Sequence, residues 1–102
     1  MQESYSHMNY YVYILASKKD GVLYIWVTNN LIRRTLEHKN SINHGFTDKY
    51  FVKKLVWYEV FSNIEEAIAQ EKRMKKWKRE YKVNTIEERN PEWKDLFEEI
   101  IT

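Results

Sequence analysis

Three segments of the chain are rich in β-branched and aromatic residues and alternate their side chains with the two-residue period of a β-strand. These segments cover residues 9–17, 22–28 and 53–61. The Asp20-Gly21 pair lies between the first two and is a strong hairpin signal, so these strands are predicted to pair antiparallel about Lys19 and Asp20. In such a hairpin, Tyr13 and Tyr24 lie on the same face of neighbouring strands.

Four further segments have the spacing of amphipathic helices. They cover residues 31–39, 64–78, 80–88 and 92–100, while residues 40–49 are predicted to be a polar loop. The predicted N-caps are Asn29 or Asn30, Ser62 or Asn63, and Asn90 followed by Pro91. The order β-β-α-β-α-α predicts an α+β fold in which helices flank a three-stranded antiparallel sheet.

The length of 102 residues is typical of a single domain, which we expect to span residues 8–102. Residues 1–7 are predicted to be an added tag or a disordered N-terminus. The chain has no cysteine, which excludes disulfides, thiolate metal sites and a cysteine nucleophile. Its two glycines are too few for a phosphate-cradling glycine-rich loop. Because the sequence shows no secretion signal or membrane span, we expect a cytoplasmic protein.

Basic side chains are concentrated in one stretch, although the net charge is only +2. Residues 72–82 contain one acid, Glu80, and seven basic residues: Lys72, Arg73, Lys75, Lys76, Lys78, Arg79 and Lys82. Such a run is typical of a surface that binds nucleic acid, because each basic group can neutralise a phosphate. The alternatives are a solvated helix face and pairing with the acidic C-terminal stretch, within the chain or between copies.

Several polar residues occupy positions where helical or strand spacing favours core residues. Glu71 falls within the apolar stripe of the helix at 64–78, which indicates either an internal salt bridge or a ligand for a hard divalent metal. In the helix at 31–39, spacing predicts that Ile32, Thr35 and Leu36 are buried and that Arg33 and Glu37 point away. Arg34 and His38 then share one flank, as a surface pair or as a phosphate contact with a proton-transfer group.

Together these positions resemble the GIY-YIG nuclease family, and most closely its small single-domain bacterial members. The resemblance covers residues 8–101 and rests on Tyr11-Val12-Tyr13, Tyr24-Ile25-Trp26, Arg34, His38 and Glu71. It implies a three-stranded sheet with flanking helices that cleaves DNA phosphodiester bonds with one divalent ion, Mg²⁺ or Mn²⁺. Repair and recombination are the processes in which the family acts.

The resemblance also implies a role for each residue. Glu71 would be the protein ligand of the metal, and Arg34 would stabilise negative charge on the scissile phosphate. Tyr13 or Tyr24, positioned by His38, would help to activate the attacking water or would occupy the nucleophile position. The basic run would hold the DNA backbone, and Asn90 matches a late polar residue of the family. DNA is the expected partner, and the protein is expected to be a monomer or a weak homodimer.

Trp26 stands where the family motif has glycine, on the same predicted face as Tyr24. Its indole either closes the cleft or stacks on an unpaired base. The third alternative is that tryptophan was introduced artificially at this position. The sequence therefore predicts a metal-dependent endonuclease whose activity is reduced by Trp26. The alternative is a catalytically inactive nucleic-acid-binding module on the same fold.

Overall fold

The computed structural model of the protein describes residues 8–42 and 45–102. Its strands are β1 (Tyr10–Ala16), β2 (Leu23–Thr28) and β3 (Lys54–Phe61). Its helices are α1 (Leu31–Lys39), α2 (Phe46–Lys49), α3 (Ile64–Lys76), α4 (Arg79–Arg89) and α5 (Phe97–Ile100). The predicted α+β fold with a three-stranded antiparallel sheet and flanking helices is confirmed.

The strand order is β2-β1-β3, so β1 is central and β2 and β3 are the edge strands of the sheet. The hairpin turns about Lys19 and Asp20 as predicted, since Ala16 pairs with Leu23 across the turn. Asp20 takes the left-handed conformation that this turn requires, with φ of 61°. In the resulting register Leu15 pairs with Tyr24, which places Tyr13 diagonally across from Tyr24 on the same face.

Strand β1 is buried on both faces. On one face its side chains pack with α3, α4 and the segment that follows: the cluster contains Val12, Ile14, Ala16, Ala67, Met74, Ile86 and Trp93. On the other face they pack with α1 and the start of β3: this cluster contains Tyr13, Leu15, Leu31, Val52 and Leu55. Residues 12–16 of this strand lose all contact with water, so every polar atom in that stretch needs a protein partner.

The caps of α1 and α3 form as the sequence indicates. The Asn30 side chain accepts a hydrogen bond from the backbone N–H of Arg33 at 3.1 Å. The Asn63 side chain accepts from the N–H groups of Glu65 and Glu66 at 2.7 and 3.1 Å. These bonds satisfy N–H groups that have no partner within a helix, and they fix where each helix begins.

The predicted helix at 92–100 is wrong for its first five residues, because only Phe97–Ile100 is helical. Trp93 has a left-handed φ of 57° and a fully buried ring, and its indole N–H donates to Glu87 at 2.7 Å. Further on, the N–H of Leu96 donates to the carbonyl of Leu55 at 2.7 Å. The segment is therefore held to the core and to β3 by contacts that a continuous helix would break.

The predicted loop at 40–49 contains one helical turn, α2, which brings the side chain of Thr47 into the interior. Residues 43–44 and the predicted tag or disordered segment at 1–7 lie outside the described residues. Within residues 8–42 and 45–102, no helix is long and apolar enough to cross a membrane.

Asn90 ends α4 and is a point at which the fold can be tested. Its buried amide N–H₂ donates to the carbonyls of Val56 and Lys94 at 3.1 and 2.8 Å, and its carbonyl oxygen accepts from the N–H of Lys94 at 2.9 Å. We expect Asn90→Ala to lower the free energy of unfolding by about 2 kcal/mol or more, because buried backbone groups lose their partners. Urea denaturation measures this change.

The control is Asn84→Ala, which removes an exposed asparagine from the same helix. Its free energy of unfolding should stay within about 0.5 kcal/mol of the parent. Equal effects of the two substitutions would contradict the structural role of Asn90.

Candidate active site

The candidate site lies at the β2 edge of the sheet, where β2 is close to side chains from the helices on both faces. Tyr13 and Tyr24 are adjacent, with ring centroids 6.5 Å apart, and the His38 ring lies 5.3 Å from that of Tyr24. Arg34 lies beside both phenols, since its charge acts on the pKa of each. Glu71 comes from α3, on the other side of the sheet, and its charge raises the pKa of Tyr24, whereas that of Arg34 lowers it. The structure thus brings five predicted residues to one place.

His38 is the centre of a buried hydrogen-bonded chain. Its Nε2 shares a hydrogen bond of 3.2 Å with the Tyr13 hydroxyl, and its Nδ1 shares one of 2.9 Å with Thr47 Oγ1. All three side chains are buried. Burial lowers the pKa of His38 below its usual value; the Arg34 charge also lowers it and that of Glu37 opposes. The imidazole is therefore neutral at pH 7, with one ring nitrogen donating and the other accepting.

The orientation of α1 differs from the sequence prediction, in which Ile32 and Leu36 were expected to be buried. In the structure both are more than two-fifths exposed, and the buried side chains are Leu31, Thr35 and His38. The hydrogen bonds of His38 to Tyr13 and Thr47 explain the difference. They compensate the burial of an imidazole, so the helix turns its polar residue inward.

Arg34 is held by Glu37, which follows it by three residues on α1. The Arg34 Nη1 donates to Glu37 Oε1 at 2.5 Å, and each side chain is about a quarter exposed. Burial lowers the pKa of Arg34, but the interactions with Glu37 and Tyr13 together outweigh that effect, so the net pKa is raised. The sequence prediction had Glu37 pointing away, although the three-residue spacing could have indicated this pair.

The two tyrosines differ in access to solvent. Tyr13 is fully buried, whereas Tyr24 is partly exposed. Burial raises the pKa of Tyr13 above its usual range, and the charge on Tyr24 adds to the shift. Burial also raises the pKa of Tyr24; Arg34 opposes that shift and Glu71 adds to it. Both phenols are thus protonated at neutral pH, and Tyr24 is the one that a molecule at the surface can touch.

Glu71 is buried, with 6% of its surface exposed, and its carboxylate forms an ion pair with the Lys75 ammonium one turn later. Lys75 Nζ also lies 3.5 Å from the centroid of the Trp26 ring. Trp26 is 42% exposed and stacks on Tyr24, with centroids 6.0 Å apart and planes 18° from parallel. The internal salt bridge considered for Glu71 is therefore present, and the indole lies on the predicted face.

The donor set around Glu71 decides which metal it suits. Among the described residues, no group of three or more histidines and carboxylates is placed to hold a metal ion. A single carboxylate oxygen fits an ion such as Mg²⁺, which keeps several waters and completes its shell with substrate phosphate. The residues present fit a divalent ion of that kind.

The predicted basic run is divided between two helices, because α3 ends at Lys76 and α4 begins at Arg79. Lys75 and Lys82 line an open depression of about 300 Å³ together with Tyr24, Trp26 and Phe46. The other basic side chains are exposed: Lys72, Arg73, Lys76, Lys78 and Arg79. Asn90 is placed apart from this site, on backbone groups of β3 and the segment after α4.

Thr47 was not singled out from the sequence. It lies in a polar segment with no periodic pattern, so no local signal marked it as the partner of His38. Its position depends on the turn α2, which itself was predicted to be loop.

The lowered pKa of His38 makes stability depend on pH in a definite direction. Below the usual histidine pKa of about 6.5, His38 is protonated in the unfolded chain but stays neutral in the folded chain until the pH falls to its lowered pKa. We therefore expect the free energy of unfolding to fall as the pH decreases from about 7 through the folded pKa of His38. Urea denaturation of the parent and of His38→Gln at several pH values measures the difference, which should shrink toward low pH. A difference that stays constant with pH would contradict this assignment.

Comparison with known proteins identifies a family for the chain. A family model described as the GIY-YIG catalytic domain matches residues 9–86. The chain is 41% identical over 76 residues to a UPF0213 protein of Clostridium perfringens, covering 74% of this chain and 81% of that protein. It is 36% identical over 80 residues to a UPF0213 protein of Bacillus pumilus, covering 78% and 81%. No solved structure gives a significant match.

The family match includes both tyrosine motifs, α1 and the helix that carries Glu71. The relatives are small proteins, and the chain covers about four fifths of each of the two compared. The chain therefore belongs to the GIY-YIG family and has its nuclease-type fold.

Proposed function

We propose that the protein is a divalent-metal-dependent endonuclease that cleaves DNA phosphodiester bonds, with a role in repair or recombination. The observation that supports this most is the meeting of Tyr24, Arg34, His38 and Glu71 at the edge of β2. These groups supply a cation, a carboxylate, a neutral imidazole and a phenol within one site. Hydrolysis of a phosphodiester needs charge stabilisation and proton transfer, which such groups provide.

Arg34 is the group that offsets the negative charge developing on the scissile phosphate. Its guanidinium stays charged at any working pH, and Glu37 fixes its orientation through the 2.5 Å hydrogen bond. A preorganised cation of this kind stabilises the transition state without moving during the reaction. Planar guanidinium groups also match the oxygen geometry of phosphate.

Glu71 is the group that would hold the metal. A divalent ion bound there supplies further positive charge at a phosphate oxygen. The ion pair of this side chain with the Lys75 ammonium supports a site that attracts positive charge. The position of Glu71 in the apolar stripe of α3, beside Ala67 and Met74, fixes the backbone that carries it.

Tyr24 is the phenol that would lie next to the attacking water, because Tyr13 is fully buried. The Tyr13 hydroxyl is already engaged with His38, which is engaged with Thr47. That buried chain positions the imidazole against the edge of the Tyr24 ring, with centroids 5.3 Å apart. His38 and Tyr13 therefore position the site from the protein interior, and Tyr24 is the phenol on the solvent side that would face the substrate.

Trp26 favours a second candidate function, a nucleic-acid-binding module that does not cut. Its exposed indole stacks on Tyr24, and Lys75 and Lys82 line the same depression. Aromatic faces next to lysines bind nucleic acid through base stacking and phosphate contacts. The two functions are separated by cleavage, because both require binding.

Cleavage depends on Glu71 in the first proposal. We expect Glu71→Gln to reduce Mg²⁺- or Mn²⁺-dependent cleavage by about a hundredfold or more, because the carboxylate ligand is lost. The matched control is Glu66→Gln, an exposed carboxylate on the same helix, which should leave cleavage unchanged. Duplex, nicked, branched and single-stranded DNA are the substrates, assayed with the parent and with Trp26→Gly.

The outcomes separate the two functions. Cleavage that only Glu71→Gln abolishes excludes the binding module. Binding without cleavage by the parent and by Trp26→Gly, in either metal, would rule out the endonuclease.

The exposed basic residues next to the site should bind the phosphate backbone. We expect the double change Lys76→Gln with Lys78→Gln to weaken DNA binding and to reduce the slope of log affinity against log salt by up to about 2, since each phosphate contact on duplex DNA contributes about 0.9. Fluorescence anisotropy at several salt concentrations measures the slope. Lys94→Gln, an exposed lysine after α4, is the control and should leave the slope unchanged. Equal slopes for all three proteins would exclude this surface from binding.

A further inference from the structure

Lys75 is held by two groups at once. Its ammonium forms an ion pair with the Glu71 carboxylate, and the same nitrogen lies 3.5 Å from the centroid of the Trp26 indole. The Glu71 side chain is 8% exposed and that of Lys75 is 37% exposed, so the pair lies at the boundary of the interior. A cation at this distance over an indole face is attracted by the ring quadrupole.

The indole also has a fixed position. It stacks on Tyr24, which in turn stacks on Phe46 with ring centroids 6.1 Å apart. Lysine has four rotatable bonds and normally loses entropy when it is held in one geometry. Here the ring offers a rigid face that favours the one geometry in which the ammonium reaches Glu71.

We propose that Lys75, clamped by Trp26, is an internal competitor for the cation position at Glu71, so that a divalent ion binds only when the ammonium leaves. This inference rests on the proposed role of Glu71 as metal ligand. The ammonium and a divalent ion both need the same carboxylate charge, and they repel each other at close range. Trp26 therefore sets the metal affinity of the site without contacting the metal.

After leaving Glu71, the Lys75 ammonium would remain at the site. Lys75 borders the same depression as Tyr24, Trp26 and Lys82, so its ammonium stays within the site after it leaves Glu71. An anionic backbone bound there offers the ammonium a new partner. Substrate phosphate thus favours metal binding twice, as a further ligand of the ion and as an alternative partner for Lys75.

Binding of Mn²⁺ to the DNA-free protein tests the competition directly, by electron paramagnetic resonance of the free ion. We expect Lys75→Met to bind Mn²⁺ about fivefold more tightly, the scale of a partly exposed ion pair. Trp26→Leu should bind it about threefold more tightly because the cation–π attraction is lost, whereas Trp26→Phe keeps a ring and should stay closer to the parent.

Two variants control this measurement. Lys76→Met removes the neighbouring charge from the same helix and should change the affinity by less than about twofold, because exposed charges are screened. Glu71→Gln should lose the site in every background.

A second measurement, the NMR chemical shifts of Lys75, does not require the metal affinity to be determined. The Nζ atom of Lys75 lies over the Trp26 ring, so the NMR signals of the neighbouring Hε protons should be shifted upfield of those of other lysines. Added Mg²⁺ should move them toward the ordinary position in the parent and should have no effect in Glu71→Gln. An ordinary Lys75 shift in the metal-free parent would overturn the inference.

The failures are distinguishable. The competition is absent if Lys75→Met and Trp26→Leu bind Mn²⁺ with the affinity of the parent. It is also absent if Lys76→Met raises the Mn²⁺ affinity as much as Lys75→Met does. In both cases the role of Glu71 as metal ligand stands. If Glu71→Gln binds Mn²⁺ as tightly as the parent, the metal role of Glu71 fails and the inference fails with it.

Discussion

The burial of β1 on both faces is the constraint on which the site depends. Every side chain from Val12 to Ala16 is removed from water, and Tyr13 carries the one side-chain hydroxyl among them. A buried hydroxyl needs a partner, and His38 is the partner that α1 supplies. That need turns the helix so that His38 faces inward and Leu36 outward. The position of Arg34 follows, because it lies one turn before His38 on the same helix.

Much of the fold was predictable because its signals are local. The alternation in the strands, the Asp20-Gly21 turn and the caps Asn30 and Asn63 each depend on neighbouring residues alone. The segment at 92–96 was predicted wrongly because its conformation is set by distant partners. Trp93 enters the core and Leu96 bonds to Leu55, some forty residues away, and helical spacing carries no information about either contact.

The site shows the same division. The burial of Glu71 was predictable from its place in an apolar stripe, and the shared face of Tyr13 and Tyr24 from strand alternation. Thr47 was not, because it reaches His38 from a segment without periodicity. The burial of Ile32 and Leu36 was predicted from apolar spacing alone. That rule fails here because two hydrogen bonds compensate the burial of His38, and because the buried Tyr13 hydroxyl needs a partner that an aliphatic side chain cannot supply.

Trp26 connects the sequence motif to the electrostatics of the site. Glycine at this position would leave Lys75 with the carboxylate of Glu71 as its partner, in a pair that is open to solvent on the lysine side. The indole adds a second attraction on the open side and narrows the positions the ammonium can take. A substitution in a strand thereby acts on a carboxylate of a helix through a third side chain, without touching the carboxylate. The same ring is 42% exposed, so under the proposed function it would be accessible to a bound nucleotide.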